Sequence, residues 1–135
     1  AAYADSVVAV DVDLDVITWC EQLKKTNIQF FQSDLFSNVS GKFDLIMFNA
    51  PYLPKDKGIK DKALYGGKEG WETIGRFLKE AKKYLNEDGK TLLVFSSTSK
   101  PEKIKTIMVE EGYTFKLLDK VHISFEDILL YELSL

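Results

Sequence analysis

Short apolar runs alternate with amphipathic segments along the chain. Four runs rich in β-branched or aromatic side chains predict strands, at residues 6–10, 28–32, 43–48 and 91–95. Three segments with apolar side chains at helical spacing predict helices, at residues 13–25, 69–85 and 99–112. Two more apolar stretches predict a final pair of strands, at residues 113–121 and 128–135.

Turn and capping residues predict where some of these elements end. Residues 86–89 are Asn-Glu-Asp-Gly, a combination typical of turns, and predict the end of the second helix. Ser99 and Glu102 have the spacing of a capping box, which predicts that the third helix begins at Ser99. Pro51 ends the third strand because it has no N–H for a central ladder.

The alternation of strands and helices predicts an α/β fold with a mostly parallel sheet and right-handed crossovers. The last two strands have no helix between them, so we expect them to pair antiparallel at one edge. No repeat or linker divides the chain, which predicts a single domain over residues 1–135. Ligands of such open sheets bind beyond the carboxyl ends of the strands.

Polar residues follow three of the predicted strands at the point where each apolar run stops. Asp11 follows the first, Asp34 the second, and the tetrapeptide Asn49-Ala50-Pro51-Tyr52 the third. Each aspartate alone is explained as a helix or turn cap. Their shared position at the carboxyl ends of three strands predicts a binding site at that edge of the sheet.

Composition and charge exclude several classes of function. One Cys and one His cannot form an internal disulfide or a zinc site, and the net charge of −3 argues against a general nucleic-acid coat. No apolar run approaches the roughly 20 residues of a membrane span. The lack of an internal disulfide fits a reducing, cytoplasmic setting. A lysine-rich stretch at residues 55–68 predicts an exposed loop, which is either simply solvated or a contact for the substrate.

Three stretches and their order carry a family resemblance. They are Val-Val-Ala-Val-Asp at residues 7–11, Phe-Phe-Gln-Ser-Asp-Leu-Phe at 30–36 and Phe-Asp-Leu-Ile-Met-Phe-Asn-Ala-Pro-Tyr at 43–52. These resemble the S-adenosylmethionine-dependent methyltransferases of the Rossmann-like class. The chain is most similar to their HemK-type branch, which methylates glutamine in peptide-chain release factors. The most specific element is Asn-x-Pro-Tyr after a buried strand, and Gly-Gly-Lys-Glu-Gly at residues 66–70 also resembles that branch.

The resemblance implies how the tetrapeptide acts. Asn49 and the Ala50 carbonyl accept the two N–H bonds of a planar nitrogen, Pro51 fixes the turn, and Tyr52 stacks on the planar group. An amide nitrogen is a poor nucleophile because its lone pair is delocalised. Two acceptors hold it in line with the methyl donor and favour the developing positive charge, so no general base is needed.

The resemblance also implies a site for the cofactor S-adenosylmethionine. Asp11 accepts the ribose hydroxyls, as a carboxylate does in dinucleotide-binding folds. Val12 packs on the adenine ring, Asp34 accepts its exocyclic amine, and Leu35 donates a backbone N–H to it. Asn49 borders both the cofactor and the acceptor.

The chain departs from the family pattern in two places. Ala50 replaces the first proline of the family's Asn-Pro-Pro-Tyr, which keeps the carbonyl but removes one constraint on the turn. The family also has a strand, a Gly-rich loop and a helix before the Asp11 strand, and the 135 residues contain none of them. That strand would lie between the strands that end at Asp11 and Asn49, so we expect an N-terminal segment beyond these residues.

The leading hypothesis is N5-methylation of a release-factor glutamine. One alternative is methylation of adenine N6 or guanine N2 in a nucleic acid, which also present planar nitrogens. The chain offers no target-recognition module or broad basic surface for such a substrate. A second alternative is a non-catalytic subunit that keeps the fold, and the intact Asn49 and Tyr52 argue against it.

A partner is expected at one strand edge. Ile28–Gln32 is predicted to be the outermost parallel strand, and exposed edges invite strand addition. In the archaeal and eukaryotic branch that the chain resembles, a small zinc-binding activator docks at this edge, so the resemblance implies such a partner. The alternative is that Phe31 lies under a helix and the chain works alone.

Overall fold

The computed structural model describes residues 3–51, 53–54 and 65–135. They form two compact units, Ala1–Gly41 and Lys42–Leu135. The prediction of a single domain over residues 1–135 stays a prediction. No helix in the described residues is long and apolar enough to cross a membrane.

The first unit is a strand–helix–strand arrangement. It contains β1 (Val7–Asp11), α1 (Leu14–Glu21) and β2 (Ile28–Gln32). The two strands pair in parallel, with Val7 opposite Ile28 and Asp11 opposite Gln32. Helix α1 begins after Asp13, whose side chain accepts the Asp15 N–H at 2.8 Å. The helix was predicted to end at Lys25 but ends four residues earlier, at Glu21. Lys24 has a positive φ of 47°, which is not a helical conformation.

The second unit contains the larger sheet and two helices. Its elements are β3 (Phe43–Asn49), β4 (Leu53–Pro54), β5 (Tyr65–Gly67), α2 (Glu72–Ala81), a 3-10 turn (Lys82–Tyr84), β6 (Leu85–Ser96), α3 (Pro101–Glu110), β7 (Thr114–Ile123) and β8 (Glu126–Ser134). The strand order is β3-β6-β8-β7, with β3 and β6 parallel and β8 antiparallel to β6 and β7. The predicted α/β class, with an antiparallel pair at one edge, is confirmed. The short parallel pair β4–β5 was not predicted.

The core of the second unit lies on one face of this sheet. Alternate residues of β6 and β8 are buried, namely Thr91, Leu93, Phe95, Leu129, Tyr131 and Leu133. Helices α2 and α3 also bury apolar side chains, among them Ile74, Leu78, Ile104 and Met108. The Phe48 ring of β3 stacks on Phe77 of α2 with centroids 4.4 Å apart. This packing holds the carboxyl ends of β3 and β6 in fixed positions.

The predicted turn at residues 86–89 lies inside the bounds of β6 and not directly after a helix. Helix α2 ends at Ala81, and β6 already begins at Leu85. Phe43 pairs with Leu85 and Leu45 with Lys90, so the residues between Leu85 and Lys90 form a bulge opposite Asp44. The Asn86 amide donates to the Asp44 carboxylate at 2.6 Å and fixes this bulge. The polar residues therefore interrupt a strand instead of ending a helix.

The predicted cap at Ser99 is wrong. Helix α3 begins at Pro101, and Lys100 occupies the cap position with a φ of 56°. Proline is favoured at the first helical position, and it excludes the helical conformation for the residue before it. The helix therefore cannot extend back to Ser99, which is buried instead.

Candidate functional site

Asp11 is the last residue of β1, and its side chain is held in a fixed turn. One carboxylate oxygen accepts the Asp13 N–H at 2.8 Å, and no described residue donates to the other. Val12 is 44% exposed, and its carbonyl accepts the Gln32 side-chain amide at 2.9 Å. At this end of β1, the Asp11 carboxylate thus has one oxygen without a described hydrogen-bond donor and lies next in sequence to the exposed Val12 side chain.

The loop after β2 is ordered by Ser33, a residue to which the sequence analysis gave no role. Ser33 is buried, its hydroxyl donates to the Leu35 carbonyl at 2.8 Å, and its oxygen accepts the Asn38 N–H at 2.9 Å. The Asn38 amide in turn donates to the Gln32 carbonyl at 2.8 Å. The burial of Ser33 depends on the folded loop, so its sequence neighbours gave only a weak signal.

This loop holds Leu35 in a left-handed conformation. The φ of Leu35 is 49°, which costs a non-glycine residue about 1–2 kcal/mol. Such strain persists only where the surrounding contacts impose it, and the Ser33 hydrogen bonds do so here. Asp34, one residue earlier, is exposed.

Four of the predicted site residues lie together at the carboxyl ends of the two strands of the first unit. They are Asp11, Val12, Asp34 and Leu35. The Ser33 N–H donates to the Asp11 carbonyl at 2.9 Å, so the ends of β1 and β2 are one strand spacing apart. Val12 follows Asp11, and Asp34 and Leu35 follow Ser33. Carboxylates, an apolar side chain and backbone polar groups are therefore grouped at this edge, a donor and acceptor set that suits a nucleoside.

The Asn49-Ala50 turn ends β3 in the second unit. Asn49 is exposed, whereas Ala50 is only 2% exposed. The Ala50 N–H donates to the Val94 carbonyl of β6 at 3.0 Å. Within the described part of the chain, neither the Asn49 side-chain amide nor the Ala50 carbonyl makes a hydrogen bond. Pro51 is half-buried, and Tyr52 lies outside the described residues.

The Ala50 hydrogen bond compensates for the replacement of the family's first proline by alanine. A proline at residue 50 would have no N–H for the Val94 carbonyl. The constraint lost with the proline ring is thus replaced by a hydrogen bond to the neighbouring strand. The carbonyl that the proposed chemistry needs is unaffected.

The segment before α2 also depends on a glycine. The Glu72 side chain folds back and accepts the Glu69 N–H at 2.9 Å and the Trp71 N–H at 3.2 Å. Gly67 has a φ of 115°, and a Cβ there would lie 2.4 Å from a Glu72 carboxylate oxygen. Glycine is therefore required at residue 67 for the Glu72 side chain to bind the backbone of the segment before α2.

An ion-pair network joins the segments before α2 and α3. The Lys100 ammonium lies 2.5 Å from the Glu69 carboxylate, and the Trp71 indole donates to Glu69 at 3.1 Å. These two hydrogen bonds, that of Lys100 first, lower the pKa of Glu69. The Lys103 ammonium lies 5.2 Å from the Trp71 ring centroid. Lys100 and Lys103 lie about 30 residues from Glu69 and Trp71, so the sequence analysis did not predict this network.

Residues 55–64 of the predicted lysine-rich loop lie outside the described residues.

The comparison with known families decides the class of this chain. The model of the methyltransferase small domain matches residues 2–120. The chain belongs to this methyltransferase family. The predicted membership in the Rossmann-like methyltransferases is thereby confirmed.

Two curated relatives are similar to most of this chain. A putative protein N5-glutamine methyltransferase of Methanocaldococcus jannaschii is 33% identical over 135 residues, covering 94% of this chain and 68% of that protein. The release factor glutamine methyltransferase of Haemophilus influenzae is 30% identical over 119 residues, covering 79% of this chain and 40% of that protein. The chain thus spans about two thirds of the first relative and less than half of the second.

Solved structures share the fold. A methyltransferase from Pyrococcus furiosus superposes with a TM-score of 0.72 at 26% identity, covering 95% of this chain and 62% of that one. Mtq2, in the E. cuniculi Mtq2–Trm112 complex responsible for methylating the eRF1 termination factor, gives 0.69 at 19% identity, with coverages of 98% and 87%. At that identity, the second likeness shows the fold alone.

Proposed function

We propose that this protein transfers a methyl group from S-adenosylmethionine to the side-chain nitrogen of a glutamine in a peptide-chain release factor. Family membership and the two curated relatives support this reaction. The observation that carries the proposal is the Asn49-Ala50 turn. It offers a side-chain amide and a backbone carbonyl that no described residue uses.

The acceptor amide would be held by this turn. The Asn49 side-chain oxygen and the Ala50 carbonyl would each accept one N–H of the glutamine amide. Because the Ala50 N–H is tied to Val94, the carbonyl is held in position before the substrate arrives. Fixed acceptors stabilise the positive charge that develops on the nitrogen and need little reorganisation during the reaction.

The nucleoside end of the cofactor would be held by the first unit. S-adenosylmethionine would supply the methyl group from its sulfonium: the N–CH3 bond forms as the S–CH3 bond breaks, a neutral thioether leaves, and the nitrogen releases one proton to solvent. Asp11 would accept the ribose hydroxyls through the oxygen that Asp13 does not use. Asp34 would accept the adenine amine, the Leu35 N–H would donate to the ring, and Val12 would cover its face. We propose these roles for the nucleoside end only.

A small zinc-binding activator subunit would dock along β2. Within the described residues, β2 pairs with β1 alone, so its other edge is open. Phe30 and Phe31 are both half-buried. The E. cuniculi Mtq2–Trm112 complex is an example of a structural neighbour with a partner protein. We also propose a cytoplasmic location, where release factors act.

A transfer experiment tests the proposal. The purified protein is incubated with methyl-labelled S-adenosylmethionine and, separately, release factor, tRNA and DNA. We expect label in the release factor alone. Label in either nucleic acid would favour the base-methylating alternative. No label with any substrate, together with no cofactor binding by calorimetry, would favour a non-catalytic subunit.

A further inference from the structure

The β7–β8 hairpin ends in a strained turn that exposes an aromatic ring. Ile123 and Glu126 are its last pair, so Ser124 and Phe125 form a two-residue turn. Ser124 has a φ of 53°, a conformation for which hairpin turns prefer glycine. Phe125 is 100% exposed, and Ile123 and Val121 on β7 are 51% and 52% exposed.

The strand ends next to this turn are firmly anchored. The Asp127 N–H donates to the Ser97 hydroxyl at 2.9 Å, and the Ser97 N–H donates to the Asp127 carbonyl at 2.8 Å. His122 Nδ1 lies 2.8 Å from the Asp127 carboxylate, and the Ser96 hydroxyl donates to Glu126. The exposed ring is therefore presented by a fixed support.

Nothing in the stability of the described fold accounts for this arrangement. Burial of a Phe side chain stabilises a protein, and the fully exposed Phe125 gains none of this stabilisation. The left-handed conformation of Ser124 is unfavourable for a non-glycine residue and adds a cost. Strain next to an exposed apolar side chain points to a role in recognition.

The register places the tip of the hairpin at the same end of the sheet as the Asn49-Ala50 turn. Asn49 pairs with Val94, and Val94 pairs with Leu130 of β8. From Leu130 the hairpin continues four residues to Glu126, about 13 Å beyond the row of Asn49. Strand β8 lies two strand spacings from β3, about 10 Å to the side. An extended polypeptide of five or six residues spans the resulting distance of about 16 Å.

We propose that Phe125, with Ile123 and Val121, contacts the polypeptide that carries the acceptor glutamine, at a position separate from the Asn49-Ala50 turn. This inference rests on the proposed function. The occupant is an apolar segment of the substrate protein near the methylated residue. Three side chains bury at most a few hundred Å², well below the roughly 800 Å² per partner of a stable dimer. A contact of this size suits a substrate that must dissociate after the reaction.

The test compares two substrates and two variants. kcat/KM is measured for whole release factor and for a peptide with at most three residues on either side of the acceptor glutamine, which is too short to reach Phe125. Both substrates are tested with wild type, Phe125→Ala and Val109→Ala. Val109 is 65% exposed near the far end of α3, away from the carboxyl edge. We expect Phe125→Ala to lower kcat/KM for the whole factor about tenfold, mainly through KM. Its activity on the peptide and the activity of Val109→Ala on both substrates should stay within about twofold of wild type.

Each other outcome overturns the inference in a recognisable way. Equal activity of Phe125→Ala and wild type on the whole factor overturns it alone and leaves the proposed function standing. An equal loss on both substrates assigns Phe125 to the fold, which thermal unfolding of the variant then shows. A change from dimer to monomer in Phe125→Ala assigns the ring to a second copy of the chain. Wild-type protein that methylates neither substrate overturns the proposed function and the inference together.

Discussion

Asn49 and Asp11 both end parallel strands, but the hydrogen bonding of their side chains differs. The Asn49 side chain has no hydrogen-bond partner in the described residues, whereas the backbone of the neighbouring Ala50 is bonded to Val94. Asp11 uses one oxygen to hold the turn that leads to α1. The substitution that tests each residue must therefore differ, because only at Asp11 does the side chain also support the fold.

We expect Asn49→Ala to lower kcat by about 100-fold or more, because the lost acceptor acts mainly on the transition state. Cofactor affinity measured by calorimetry should stay within a few fold of wild type. Asn86→Ala, which removes a side-chain amide from the bulge of β6, is the matched control and should keep kcat. A parallel loss of turnover and cofactor affinity would contradict the role proposed for Asn49.

Asp11→Asn keeps an oxygen for the Asp13 N–H but removes the charge. We expect the affinity for S-adenosylmethionine to fall about 10- to 100-fold, the value of a hydrogen bond to a charged group. Thermal stability should change little because the turn is retained. Asp15→Asn, an exposed position in the first turn of α1, serves as the control. Unchanged affinity in Asp11→Asn would place the ribose contact elsewhere.

The sequence was most informative at the strand ends. Asp11, Asp34 and Asn49 could be predicted because each stands where an apolar run stops, a local pattern. Ser33 and the Glu69–Lys100 pair could not, because their significance depends on contacts that only the folded chain creates. The roles of the predicted residues remain proposals until they are tested.

At the scale of elements, polar residues alone did not show whether they end a helix or interrupt a strand. The Asn-Glu-Asp-Gly stretch has turn chemistry, and a bulge uses the same chemistry within a strand. Pro101 overrode the capping-box spacing of Ser99 and Glu102 because the residue before a proline is excluded from the helix. Apolar runs were more reliable: the predicted Ile28–Gln32 strand has the observed bounds.

Tyr113 links α2 to the segment before β7. Its hydroxyl donates to the Leu78 carbonyl at 2.9 Å, and burial raises its pKa to about 12. An unfolded tyrosine ionises near pH 10, so the folded state resists ionisation. This contribution to stability is complete below about pH 10 and is lost as the pH rises towards about 12.

We expect Tyr113→Phe to lower the free energy of unfolding by about 1 kcal/mol at pH 8, because the Leu78 carbonyl loses its donor. The variant should also lose the part of the alkaline destabilisation that belongs to this residue. Urea unfolding at pH 8 and at pH 11 measures both effects, with the exposed Tyr3→Phe as the control. Identical alkaline destabilisation in Tyr113→Phe and wild type would rule out Tyr113 as its source.

The outer edge of β2 can be blocked without breaking its ladder to β1. The Ser33 N–H donates to Asp11, so in a regular parallel ladder the Gln32 N–H points away from β1. We expect Gln32→Pro to abolish pull-down of the proposed activator. Gln32→Ala loses the same side-chain bond to Val12 but keeps the backbone N–H, so it should retain binding. Equal binding by both variants would remove the strand-edge proposal.

At the scale of the whole molecule, alternation of strands and helices sufficed to predict the class of fold. Each strand and each main helix of the prediction overlaps an observed one. The order β3-β6-β8-β7 could be predicted only in part, since the missing helix between β7 and β8 indicates that they pair but not that β8 lies inside. Sheet order is set by contacts between distant segments, which local patterns do not contain.

The most direct test of the proposed function is to find where the methyl group goes. Release factor is incubated with the protein and S-adenosylmethionine, digested and sequenced by tandem mass spectrometry. The account predicts a single added methyl group on the side-chain nitrogen of one glutamine, formed about 100-fold or more slowly when Asn49→Ala replaces the wild-type protein. A methyl group on another residue type, or unmodified release factor alongside methylated nucleic acid, would contradict it.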